Sequence, residues 1–179
     1  MPSDKDRLYI ALYARGGSAK MPGLEDTYHW ALILGPKKED GGHAMGARFH
    51  AKEEAAVSGA VWNFEEKAIA MRPTNMQLVR VVVAKVVDRK RLLAILRGIP
   101  VRSDIAGWNC VGWVQEALEA LIQDGKCLGT SAKSWTAARD AAMSYVAQKK
   151  AAHRFDGQAE WDQRLAATWD MLGDKELIP

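Results

Sequence analysis

"TYHWALILGPKKEDGGHAMGARFHA", residues 27 to 51, decides the fold. Its two ends are rich in aromatic and branched residues, and its middle is polar, with Gly at both margins. "TYHWALIL" (27–34) and "ARFHA" (47–51) therefore read as antiparallel strands joined by a solvated loop. Each strand carries an interior histidine, His29 and His50. An imidazole buried without a hydrogen-bond partner is costly, so His29 needs one. Placing His29 opposite His50 also sets Leu34 opposite Met45 and leaves a glycine-containing loop from Gly35 to Ala44. Neighbours across a ladder lie about 5 Å apart at their Cβ atoms, close enough for one ring to orient the other.

Working outward, "RLYIALYA" (7–14) is a first strand and "GAVWNFEEKAIA" a weaker one, while "QLVRVVVAKVV" (77–87) has the strongest β character in the chain. Asp88 offers an N-cap to "RKRLLAILRG", a short helix closed by Gly98 and Pro100. From Asn109 the apolar spacing turns helical, with Val111, Val114, Leu118, Leu121 and Ile122 on one stripe and Gly125 at its end. Ser134 caps "WTAARDAAMSYVAQKKAAH", and "QAEWDQRLAATWDML" reads as a last amphipathic helix. There is no internal repeat and no low-complexity tract. The expectation is one α+β domain over residues 1–179, a mostly antiparallel sheet packed against helices, with residues 130–179 as a C-terminal helical extension.

Composition narrows the function. The 179 residues are 48% hydrophobic and 26% charged, the balance of an ordinary globule. A net charge of +3 without dense basic runs argues against a nucleic-acid partner. No apolar run approaches the ~20 residues of a spanning helix, so no integral membrane segment is expected. Acids precede the first apolar stretch and no small-residue cleavage site follows it, which points to a cytoplasmic protein. Cys110 and Cys127 form no C-x-x-C unit, and with no secretory context they are expected reduced.

The chemistry gathers at "GWNCVGWVQEAL" (107–118). With Asn109 as N-cap, Cys110 opens the helix, where unpaired N–H groups and the dipole favour a thiolate. Those N–H groups suit the oxyanion formed when a thiolate attacks a carbonyl. Cysteine's commoner role is to pack as a small hydrophobe, and that alternative stays open. His43, in the loop, and His153, in a polar stretch, read as surface residues. A metal site from His29, His50 and Cys110 is a third reading, weak because its ligands lack close spacing.

The order "YHWALILG", "FHA", "NCVGWV" resembles the circularly permuted papain-like superfamily, in particular NlpC-type hydrolases and lecithin:retinol acyltransferase-like enzymes. The resemblance covers roughly residues 5 to 122. It implies a catalytic triad with Cys110 as nucleophile, His29 as base within hydrogen-bond reach of it, and His50 as orienting group. Asn109 and Tyr28 would assist at the oxyanion, and Trp108 would line the cleft. Val111 and Gly112 stand where the acyltransferase branch has an acidic residue and a histidine. The expected function is a thiol-dependent, thiol-protease-like hydrolase or acyltransferase acting on a small-molecule or peptide-like amide, ester or thioester, without cofactor or metal. The alternative is a catalytically silent papain-like binding domain.

Overall fold

The computed structural model describes residues 5–179. The strands are β1 (Arg7–Ala14), β2 (Tyr28–Gly35), β3 (Met45–Ala56), β4 (Gly59–Ala70) and β5 (Gln77–Val86), then β6 (Leu128–Ser131), β7 (Ala167–Asp170) and β8 (Lys175–Ile178). The α-helices are α1 (Arg89–Arg97), α2 (Cys110–Asp124) and α3 (Trp135–Ala151). One eight-stranded sheet runs in the order β4-β3-β2-β1-β5-β7-β8, with β6 also on β5. Among the described residues only the β5–β7 pair is parallel. The chain is thus α+β with a mostly antiparallel sheet.

The helices share one face of the sheet. Leu8, Ile10 and Leu12 of β1, Trp30, Leu32 and Leu34 of β2, and Phe49 of β3 bury against side chains of α2 and α3. Each large apolar side chain so buried is worth about 1.5–3 kcal/mol. The opposite face carries a smaller cluster of Tyr9, Ala11, Tyr13, Ala31, Ile33, Met71 and Val82, to which no helix contributes. Arg80 is buried on this second face and fully engaged. Its guanidinium donates to Thr168 Oγ1 at 2.8 Å, to the Met71 carbonyl and to Glu39, and lies over the Tyr9 ring.

Two expectations are corrected. The β2–β3 register slips by two positions, so that Leu34 faces Ala47 rather than Met45. An even slip keeps every side chain on its face, which is why the histidines remain neighbours. "QAEWDQRLAATWDML" is not a helix: it forms turns followed by β7, so the segment 130–179 is only partly helical. Its apolar spacing is overridden by pairing with Val79–Val82 of β5, a long-range contact no local pattern encodes.

Candidate active site

Three elements converge here. Asn109 holds an extended backbone and its Oδ1 accepts from the Val111 N–H at 2.9 Å, which starts α2 at Cys110. Gly112 follows because the Trp108 indole lies over it: a Cβ there would meet Nε1 at 2.9 Å. Trp108 in turn packs edge-on against Trp62 of β4, with ring centres 5.9 Å apart. The glycine that departs from the acyltransferase pattern is therefore demanded by local packing.

Cys110 is 0% exposed, in the helix-side core cluster. Burial pushes its thiol up. The Trp30 backbone, the Arg15 charge and the N–H groups of Val111 and Cys110 partly offset that push. Trp30, the residue after His29, is buried in the same core cluster as Cys110. Cys127, at the far end of α2, is pushed up to about 11 by burial and by Asp124, the wrong direction for a reactive thiol. Both cysteines are free.

His29 and His50 meet. His29 Nε2 lies 2.6 Å from His50 Nδ1, and the rings are T-shaped with centres 4.8 Å apart. His50 Nε2 lies 2.9 Å from Glu65 Oε1, directly across the β3–β4 ladder. The His50 hydrogen bond holds the Glu65 carboxyl down at about 2 despite some desolvation, with Arg48 and Lys52 helping. Desolvation depresses His50 despite its bond to Glu65. Desolvation, with the charges of His50 and Arg48, takes His29 down to about 3. Both rings are therefore neutral at pH 7, and the chain of bonds assigns their tautomers. Carboxylate Glu65 can only accept, so His50 donates from Nε2 and accepts at Nδ1. His29 then donates from Nε2, which leaves its Nδ1 as an unprotonated lone pair. Among the described residues that nitrogen has no hydrogen-bond partner.

The expected hydrogen bond from Cys110 to His29 is not made. Strand alternation sends His29 to the face of Tyr13, whose ring lies 6.0 Å away, whereas Cys110 sits on the Trp30 face. The β2–β3 ladder is confined to Leu32–Leu34 and Ala47–Phe49. His29 and His50 lie beyond that ladder, and α2 packs on both strands. Tyr28 is half-buried and lines a cleft with Arg15. Asn63 of β4 donates to Glu54 and takes no part in the histidine pair. His43 is exposed and His153 pairs with Asp156 at the surface. Among the described residues no group of three His, Cys, Asp or Glu is arranged to hold a metal ion. Nor is any helix long and apolar enough to cross a membrane.

Glu65 was not singled out from the sequence, although the signal was there. Val57 and Ser58 make a two-residue turn closed by Gly59 at positive φ, so Ala56 faces Gly59. Stepping back along both strands from that pair brings His50 opposite Glu65.

A family model described as "Family of unknown function (DUF6914)" matches residues 5–178, and the chain belongs to that family. No match was found among curated proteins or among solved structures.

Proposed function

We propose that the protein is a thiol-dependent hydrolase or acyltransferase with a permuted papain-like arrangement, Cys110 being the nucleophile, His29 the base and His50 with Glu65 the orienting pair. One observation carries this reading: the Glu65–His50–His29 chain fixes both imidazoles and leaves His29 Nδ1 without a protein partner among the described residues, on the residue before Trp30, which shares the core cluster of Cys110.

In the proposed cycle the structure opens beyond the end of the β2–β3 ladder to bring Cys110 and His29 together, and the S–H proton passes to His29 Nδ1. The sulfur bonds to an acyl carbonyl carbon, and the unpaired N–H groups at the start of α2 hold the oxyanion. The bond to the leaving group breaks, and that group departs with the proton from His29. Water or an acceptor hydroxyl or amine then gives His29 a proton, attacks the thioester, and restores the thiol. The positive charge on His29 is spread by its bond to His50, which Glu65 anchors.

A second reading, a silent binding domain, is favoured by one fact: the resting thiol is wholly buried and pushed up. Iodoacetamide labelling of the folded protein, mapped residue by residue, separates the two. The catalytic reading expects Cys110 to label well ahead of Cys127, and His29→Asn to slow Cys110 by about tenfold or more. Equal labelling of both thiols, or no effect of His29→Asn, moves the assignment to the binding domain.

A further inference from the structure

Beside Tyr28 a cleft of about 280 Å³ opens on the helix side of the sheet, floored by Leu78, Val146 and Phe155. That volume sits at the small end of the roughly 300–1,000 Å³ typical of ligand pockets. Its polar groups are unusual for so apolar a space. Arg15 enters from the end of β1 and Lys150 from the end of α3. Lys150 makes no ion pair among the described residues, and Arg15 holds only the Asp26 carbonyl at 3.2 Å and a loose contact with Glu53 at 3.7 Å. The one acid at the rim, Asp156, is already taken by His153 and by the Gln158 N–H. The Tyr28 hydroxyl has no protein partner among the described residues. The cleft therefore presents two under-neutralised cations and a hydroxyl around an apolar floor.

We propose that this cleft binds the acidic end of a short amphiphile, a carboxylate or a phosphate monoester on an apolar chain, and that it is the substrate-side subsite of Cys110. The link to Cys110 is Tyr28, which lines the cleft, packs against the core cluster that holds Cys110 and precedes His29 in the chain. Arg15 and Lys150 pair with the anion, Tyr28 donates to it, and Phe155 and Val146 cover the chain. The substrate assignment rests on the acyl-transfer reading; ligand binding in the cleft does not.

Octanoate, octyl phosphate and octanol, titrated into the full chain at low salt and followed by calorimetry and amide spectra, test the proposal. Both anions are expected to bind about tenfold or more tightly than octanol, the tighter of the two naming the head group. Lys150→Gln should weaken the anions alone by about 2- to 5-fold, and Phe155→Ala should weaken all three ligands. Octanoate should also protect Cys110 from iodoacetamide, while Cys110→Ala keeps its affinity. Octanol binding as tightly as the anions, or anion binding untouched by both variants, overturns the proposal. An unreactive Cys110 in a protein that still binds octanoate through Lys150 would sink the acyl-transfer reading and leave the cleft assigned.

Discussion

Lowering the pH from 7 to 5 should cost this protein about 2 kcal/mol of stability through His29 alone. The folded chain keeps this imidazole neutral until about pH 3, largely by desolvation. Unfolded, it takes up a proton near its ordinary pKa of about 6.5. Between those values the unfolded state binds more protons, so stability is full above about 6.5 and falls as the pH falls. Each unit of pH below the unfolded value costs about 1.4 kcal/mol per such proton, and 1.5 units give about 2 kcal/mol. His50, also depressed, adds in the same direction. Urea unfolding of the native protein and of His29→Asn at constant ionic strength, across pH 5 to 7, measures the difference. The native curve should fall more steeply than the variant's by about 2 kcal/mol over that range. Parallel curves would refute the idea that His29 is held neutral. So would ring-nitrogen spectra showing His29 protonated at pH 5 in the folded state.

Three more outcomes follow from the same geometry. Glu65→Leu strands the His50 Nε2–H and the Arg48 guanidinium, so urea unfolding should show a loss of about 1–3 kcal/mol, with Cys110 labelling slowed. Gly112→Ala drives a methyl against the Trp108 indole and should cost about 1–3 kcal/mol in thermal or urea melts, with Trp108 fluorescence altered. Asn109→Ala removes the cap on α2 and should cost about 1 kcal/mol, again read by urea unfolding.

The residues differ in how openly they announced these arrangements. β1 and β2 lie where branched and aromatic runs end at Gly or Pro, β5 where a valine-rich run ends at the cap Asp88, and Asn109 and Ser134 marked their helices because capping is local chemistry. The His29–His50 contact was legible for a subtler reason: an imidazole inside a strand needs a partner, and the hairpin offered one. Register was not legible, because a nine-residue connection, residues 36–44, tolerates an even slip without changing any face. Nor was the separation of Cys110 from His29: alternation puts His29 and Trp30 on opposite faces, but which face α2 covers is decided by tertiary packing. β7 failed for the opposite reason: Trp161, Leu165 and Trp169 keep helical spacing, yet the backbone is claimed by β5.

The bond between Arg80 and Thr168 also bears on when the fold can form. A guanidinium 1% exposed in the middle of the sheet finds an acceptor 88 residues later, on the strand that lies parallel to its own. Until residues 167–170 arrive, β5 has an open edge along Val79–Val82 and a buried cation lacking one of its acceptors. During synthesis the earlier strands therefore wait for the late segment, and folding should be slow and concerted. A ribosome stalled before Ala167 would display a protease-sensitive sheet, an aggregation hazard that closes only when β7 slides into place.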